Sequence, residues 1–383
     1  MKRIVVGILT VWYWICRQDN YGSLLQAYAS QTALERLGCD VTLLRCASEK
    51  EEAFREQLKS PFYYWLKYMF ATNAKKRRRA RERYFQVRYP RRFMEFARKN
   101  LKCSEQSFAL EDFAEKDFTS LDAIVVGSDQ VWAGGVPAYF LVSDKLPAKR
   151  IAYAASREWE HSDGFDEVFR RWGVNFTAIS TREHEGVAQC HACGREDAVW
   201  VLDPTLLLLM QDWQKVCDAQ TVPQGGVCAY FVSKFSEKHQ CQIESYASRH
   251  QKSCWKVAVQ GAEGDLKRAE NALWLSPAQW LSWMSTANQV VTNSFHGLCF
   301  AIIFHRPFVV YCPPEKSPTR QLNLLTRVGL ENRLVRSLDQ LDDVLNVEIN
   351  WAEVDSRLEK ERAQSLAFLD CALCDIKEQS FEK

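Results

Sequence analysis

No apolar run in this chain approaches the roughly 18–20 residues of a membrane-spanning helix, so no segment reads as a membrane span. Neither sign of charge is in strong excess. Fifty Lys and Arg stand against 48 Asp and Glu, a formal net charge of +2, which argues against a dedicated nucleic-acid binder with its strongly basic footprint. No secretory signal is evident. Met1-Lys2-Arg3 precede an apolar stretch, but Ile4 to Val11 is short, contains Gly7, and runs into Trp12-Tyr13-Trp14 without a small-residue cleavage site. That stretch is expected to be the first core strand. The remainder has globular composition: 383 residues, 47% hydrophobic and 26% charged, long enough for two domains that each bury a core.

Fourteen cysteines would mean a disulfide framework in a small secreted chain. Here most of them, including Cys46, Cys228, Cys254, Cys299 and Cys312, sit in apolar segments as small hydrophobes. Reduced thiols and a cytoplasmic location are expected. Two CxxC pairs, Cys190-His191-Ala192-Cys193 and Cys371-Ala372-Leu373-Cys374, lie far apart. A zinc site joining them is the alternative to plain thiols.

Strand-like and helix-like runs alternate along the chain. Strands are expected at Arg3 to Thr10, Asp40 to Arg45, Asp122 to Val126, Arg150 to Ala154, Ala178 to Ser180 and Val199 to Leu202. The second half repeats the theme at Gly226 to Val232, Ser253 to Val259, Gln289 to Thr292 and Pro307 to Tyr311. A helix is expected over Tyr21 to Leu37, closed by Gly38. This order predicts an α/β protein with two doubly wound, Rossmann-like domains facing a cleft. The boundary falls in the polar stretch Leu209 to Gln224. Residues 1–212 form the first domain and 213–345 the second, with a helical segment over 346–383.

The segment Ser60 to Arg92 breaks the alternation. Its aromatic half, Pro61 to Phe70, leads into Lys75-Lys76-Arg77-Arg78-Arg79 and then Arg81, Arg83, Arg88, Arg91 and Arg92. Aromatics beside a basic cluster suit an anionic membrane surface. A solvated helical insertion is the plain alternative, and nucleic acid the weaker one.

Val290-Val291-Thr292-Asn293-Ser294-Phe295-His296-Gly297, followed by the apolar Leu298 to Phe304, is the most informative stretch. It places His296 at the carboxyl end of a strand and the amino end of a helix. Open α/β sheets bind ligands there, and free N–H groups favour an anion. The histidine either carries a proton to that anion or only caps the turn.

Taken together the motifs resemble the polysaccharide pyruvyl transferase family over roughly Val5 to Arg333. The residues that carry the resemblance are Gly7-Ile8-Leu9-Thr10, Asn20-Tyr21-Gly22-Ser23-Leu24-Leu25-Gln26-Ala27-Tyr28, Val125-Val126-Gly127-Ser128-Asp129-Gln130-Val131-Trp132 and Tyr153-Ala154-Ala155-Ser156. Ser180-Thr181-Arg182-Glu183, Leu202-Asp203-Pro204-Thr205-Leu206-Leu207, the His296 turn and Arg320-Gln321-Leu322-Asn323-Leu324-Leu325 complete the series. The resemblance implies a GT-B-like fold. It implies transfer of a pyruvyl group from phosphoenolpyruvate to two hydroxyls of one sugar, giving a cyclic ketal and phosphate, in bacterial surface-polysaccharide synthesis. It also implies a saccharide acceptor, in some members lipid-linked at the inner face of the cytoplasmic membrane. Phosphoenolpyruvate is then the donor substrate, and no cofactor is expected.

Arg182 and His296 match the family's motif arginine and histidine. Arginine suits carboxylate and phosphate, so Arg182 is assigned to the anionic groups of the substrate, with pairing to Glu183 or Glu185 the alternative. His296 is assigned as proton donor to the methylene carbon, with a histidine that only hydrogen-bonds the phosphate as the alternative. The N–H groups of Phe295, His296 and Gly297, beside Asn293 and Ser294, are candidates to hold the departing phosphate. Ser294 stands where some branches of the family place an arginine, which turns attention to Lys316 and Arg320 in the loop Pro313 to Arg320. Asn20, Tyr21, Gly22, Gly127, Ser128, Asp129 and Gln130 are expected on the acceptor side. Asp129 is either a base for the attacking hydroxyl or a turn cap, and Trp132 either stacks on a sugar or is buried. The aromatic loop Val11 to Asp19 either shapes the pocket or is core. No DxD or carboxylate cluster accompanies the presumed site, so no metal is expected. A glycosyltransferase with a nucleotide-sugar donor and a non-catalytic saccharide-binding protein are the competing functions.

Overall fold

The computed structural model describes residues 3–12, 20–46, 59–88, 92–147, 149–159, 164–218, 222–232, 236–257 and 272–379. Two parallel sheets organise the chain. The first has the order β3-β2-β1-β4-β5-β6-β7, from β1 (Val5–Leu9), β2 (Asp40–Cys46), β3 (Cys103–Phe108), β4 (Ala123–Val126), β5 (Lys149–Ala155), β6 (Ala178–Thr181) and β7 (Val199–Trp200). The second has the order β10-β9-β8-β11-β12-β13, from β8 (Val227–Tyr230), β9 (Cys254–Val257), β10 (Ala272–Leu273), β11 (Gln289–Thr292), β12 (Phe308–Tyr311) and β13 (Leu334–Val335). Central strands such as Ala-Ile-Val-Val (β4) and Gln-Val-Val-Thr (β11) are buried along their whole length, as expected where helices cover both faces. The order reverses between β1 and β4 and again between β8 and β11. These are the two switch points where such sheets take ligands.

Every run expected to be a strand contains one. The end of the Ser253 to Val259 run lies outside the described residues, as does Tyr13 to Asp19. Val11 and Trp12 of that loop are buried. Three strands were not foreseen. β3 (Cys-Ser-Glu-Gln-Ser-Phe) is a polar edge strand, and β10 and β13 are two-residue edges, so none has the apolar signature of a central strand.

The two domains share one aromatic junction. The Tyr21 ring is wholly buried and stacks on Trp280 at 5.1 Å, and its hydroxyl donates to the Leu275 carbonyl at 2.6 Å. Trp213, in the stretch expected to separate the domains, is also buried, between Tyr28 at 5.5 Å and Phe300 at 4.8 Å. At Trp213 that stretch is packed into the core. The closing helix, Trp351–Gln379, returns to the first domain. The Ser365 hydroxyl accepts the Leu202 N–H at 2.9 Å, and Arg362 donates to the Leu206 carbonyl at 2.9 Å. Its Glu361 pairs with Arg327 of the second domain at 2.8 Å. The helix thus straps both halves together.

Candidate active site at the domain junction

His296 lies in the first turn of the helix Phe295–Ile303, which starts where β11 ends. Ser294 caps that helix, its hydroxyl accepting the Gly297 N–H at 3.2 Å. The Gly297 N–H is therefore taken. Of the expected phosphate-holding groups, the N–H groups of Phe295 and His296 have no acceptor among the described residues. Across the junction, the helix Tyr21–Arg36 presents Gly22 to the imidazole. A Cβ on Gly22 would stand 2.0 Å from His296 Nδ1, so only glycine admits the histidine there. Asn20 caps this helix by accepting the Ser23 N–H at 3.3 Å.

The other imidazole nitrogen faces a carboxylate. His296 Nε2 lies 3.5 Å from Asp203 Oδ2, an ion-pair distance at which no hydrogen bond is formed. Asp203 is completely buried and held from several sides. Arg182 donates to its Oδ2 at 2.9 Å and Ser128 at 3.1 Å, while the Thr205 N–H and hydroxyl donate to Oδ1 at 2.9 and 2.7 Å. Burial alone would raise the Asp203 pKa, but the charges of His296 and Arg182 and these donors outweigh it and hold the carboxyl below the usual carboxylate range.

Arg182 directly follows β6 with 2% of its side chain exposed. Besides Asp203 it donates from Nε to Glu183 at 3.1 Å and from Nη2 to the Ser156 hydroxyl at 3.0 Å, and Nη2 lies 3.8 Å from Asp129. Its guanidinium also covers the Phe295 ring at 4.3 Å. Burial works against its charge, but Glu183, Asp203 and Asp129 raise its pKa further. The pairing to Glu183 weighed from the sequence is thus present, in the interior and not on the surface. The guanidinium is surrounded by carboxylates of its own chain and touches the histidine's surroundings through Asp203.

On the first domain's side, Asp129 follows β4 in the left-handed region (φ 67°) and accepts the Ser23 hydroxyl at 2.7 Å. Gly127 precedes it with φ 117°, and a Cβ there would lie 2.1 Å from the Tyr153 carbonyl oxygen. Gln130 lines a largely apolar cleft of about 900 Å³ with Tyr139, Phe113 and Val136 at the carboxyl edge of the first sheet. Tyr21 does not reach such a cleft, because its ring and hydroxyl are committed to the domain junction. Trp132 is fully buried among Phe140, Phe165 and Phe169, so it is core and not a sugar platform.

On the second domain's side, Lys316 and Arg320 line a cavity of about 560 Å³ together with Asn293, Arg157, Trp159 and Gln321, and with the acids Glu158 and Glu315. The cavity abuts the buried cluster, since Trp159 donates from its indole to Glu183 at 2.8 Å. Arg336 braces the Lys316 loop by donating to the carbonyls of Pro313 and Lys316 at 3.3 and 2.9 Å. Asn323 bridges the domains, accepting the His184 N–H at 2.7 Å and donating to Glu185 at 2.9 Å.

The structure therefore brings His296, Arg182, Asp129, Ser128 and Gly22 into one cluster, with Lys316 and Arg320 in the adjoining cavity. Two participants had no role assigned from the sequence. Asp203 stands before Pro-Thr, where an aspartate reads as a cap. It does cap the short turn Pro204–Leu207, and that role hid its approach to His296. Arg157 is buried, with 3% exposed, and its guanidinium lies 4.5 Å from the Phe165 ring. No sequence pattern distinguished it from a surface arginine. Among the described residues no three His, Cys, Asp or Glu side chains gather as metal ligands, so the two CxxC pairs are not joined.

The chain is similar in fold to UDP-N-acetylglucosamine 2-epimerase from Rickettsia bellii, with 8% identity, full coverage of both chains and a TM-score of 0.53. A second structure, a putative UDP-N-acetylglucosamine 2-epimerase from Listeria monocytogenes, shows 10% identity over 94% of this chain and 91% of that one, with a TM-score of 0.53. These likenesses establish the two-domain GT-B arrangement. No curated protein matches the chain in sequence. The family model for polysaccharide pyruvyl transferase matches residues 20–311. Because that match runs from the first helix to the end of β12, through both sheets and both sides of the junction, the chain belongs to the polysaccharide pyruvyl transferase family.

Proposed function

We propose that this protein transfers the pyruvyl group of phosphoenolpyruvate onto two hydroxyls of one sugar in bacterial surface-polysaccharide synthesis, with a lipid-linked saccharide at the inner face of the cytoplasmic membrane as acceptor. The observation that carries the reading is the His296–Asp203 pair, 3.5 Å apart across the domain junction, in a chain of this family. Asp203 stays ionised and faces the imidazole of His296 with its negative charge. That imidazole gives its proton to the methylene carbon of phosphoenolpyruvate, which becomes a methyl group, and positive charge develops at the adjacent carbon. One sugar hydroxyl attacks that carbon, with Asp129 accepting its proton. Phosphate departs, and the second hydroxyl closes the ketal ring. Two hydroxyl protons are released in all. One balances the proton spent on the methyl group and the other leaves with phosphate.

The cations of the 560 Å³ cavity, Lys316 and Arg320, with Arg157 behind them, bind the carboxylate and phosphate of the donor. They supply the charge that Ser294 does not. Arg182 acts as a positioning residue that fixes Asp203. The acceptor occupies the first domain's cleft beside Gln130. The test is phosphate release from phosphoenolpyruvate in the presence of a saccharide extract from the producing cells. His296→Gln is expected to lower the rate by about 10²–10⁴ with the fold intact. A variant that retains the wild-type rate overturns the proton-donor role.

A further inference from the structure

We infer that the helical hairpin of Pro61–Met69 and Ala74–Arg88 docks the protein on an anionic lipid bilayer, and that the groove between its two helices seats lipid phosphate headgroups. The first helix has two unlike faces. Tyr64 turns inward and is 4% exposed, and Ala80 of the second helix is 6% exposed. Its hydroxyl accepts the Lys59 N–H at 3.3 Å, and Arg83 lies over its ring at 5.9 Å. Phe62, Trp65 and Met69 follow the three-and-four spacing of one helical face, and with Phe70 they are 65%, 43%, 53% and 79% exposed. The rings of Phe62 and Trp65 stack at 5.9 Å. Among the described residues, the large side chains exposed elsewhere are aliphatic and scattered, so the bare aromatics are confined to this ridge. A contiguous exposed apolar ridge signals a partner.

The chemistry of the partner follows from the charge beside the ridge. A groove of about 510 Å³ runs between the helices, lined by Lys67, Lys76, Arg79 and Arg83 with Phe70 and Thr72, and among the described residues by no carboxylate. Glu82 is the one acid between Lys59 and Arg88. Since the whole chain carries a net charge of only +2, its positive field is concentrated here. Apolar rings flanked by lysine and arginine match the interface of an anionic bilayer, where the rings enter the acyl boundary and the cations meet phosphate. A nucleic-acid backbone would satisfy the cations but leave Met69 and Phe70 in water. The hairpin leads into the helix Phe93–Asn100, whose Phe93 packs on Tyr21 at 4.9 Å. It is therefore carried by the acceptor-side domain. The docking gives the lipid-linked acceptor of the proposed function a place, but it does not require pyruvyl transfer.

The test is co-sedimentation of the full chain with vesicles of phosphatidylglycerol and phosphatidylcholine, against vesicles of phosphatidylcholine alone and against random-sequence duplex DNA. Binding is expected to the anionic vesicles only. Lys76→Gln with Arg79→Gln should weaken it about 30-fold, at about 1 kcal/mol per surface cation. Trp65→Ser with Phe70→Ser should weaken it more than about tenfold. All these positions are exposed, so unchanged melting curves show that the variants fold. Equal binding to neutral vesicles, wild-type binding by the charge variant, or binding to DNA without binding to vesicles overturns the proposal.

Discussion

Replacing Arg182 with methionine separates a buried structural charge from a substrate-facing one. The guanidinium is 2% exposed and its partners Glu183 and Asp203 have fully buried side chains. One cation therefore offsets three nearby carboxylates, counting Asp129 at 3.8 Å. Methionine keeps the packing volume and strands those acids. Removing one member of a buried ion pair costs about 3–5 kcal/mol, because the remaining charge is left without compensation. For a domain of roughly 200 residues each kcal/mol moves Tm by about 2–4 °C, so a fall of about 10 °C is expected. The pH dependence has a definite sign. Asp203 is held below the usual range in the folded protein, by His296 and Arg182 acting against burial. Its contribution is fully present above the unfolded value of about 3.9 and is lost as pH falls through the lower folded value. Without Arg182 the carboxyl rises toward the accessible range and can be neutralised by a proton. The gap between wild type and variant, measured by urea unfolding, should therefore narrow between pH 7 and pH 4. A variant as stable as wild type at pH 7, or a gap independent of pH, refutes the argument. So does an Arg182→Met protein of normal stability whose only defect is a raised KM for phosphoenolpyruvate, since that would place the guanidinium on the substrate.

Two other perturbations probe neighbouring parts of the account. Gly22→Ala puts a methyl group 2.0 Å from His296 Nδ1, so the imidazole must move. About 1–3 kcal/mol of stability and most of the transfer rate should be lost, as read by thermal melting and phosphate release. Lys316→Gln and Arg320→Gln each remove one charged contact worth about 1.5–3 kcal/mol. Each should raise the KM for phosphoenolpyruvate by about 10–100-fold with little change in kcat, because both line the donor cavity and neither is assigned a proton transfer. A loss confined to kcat would contradict their assignment to donor binding.

The architecture was legible because its signals are local and repeated. Buried parallel strands such as Ala123–Val126 and Gln289–Thr292 announce themselves as short apolar runs between helices. Edges such as Cys103–Phe108 do not, since a strand exposed on one side has no need of that composition. The His296 turn was legible for the same reason: a strand, a small polar turn and an apolar helix fix where the histidine sits. What surrounds it was not, because the contacts span long distances along the chain. Asp203 reaches His296 across 93 positions (296 − 203 = 93), and its capping of Thr205 looks the same with or without a histidine nearby. Arg182 illustrates the converse. Residue type alone suited a substrate anion, and only the burial of Glu183 and Asp203 beside it reveals that its charge is already balanced. Tyr21 read as a candidate for the acceptor sugar and Trp132 as either a sugar platform or core, and packing against Trp280 and Phe140 makes both of them core.

The central claim is that the cleft takes phosphoenolpyruvate as donor. The most direct measurement is the melting temperature of the purified full chain titrated with phosphoenolpyruvate and, separately, with a UDP-sugar. A ligand at about 100 times its Kd stabilises the folded state by about 2.7 kcal/mol. Phosphoenolpyruvate is expected to raise Tm by several degrees, Arg320→Gln to reduce this rise, and the UDP-sugar to leave Tm unchanged. Stabilisation by the UDP-sugar with none from phosphoenolpyruvate would contradict the claim and make the protein a nucleotide-sugar enzyme.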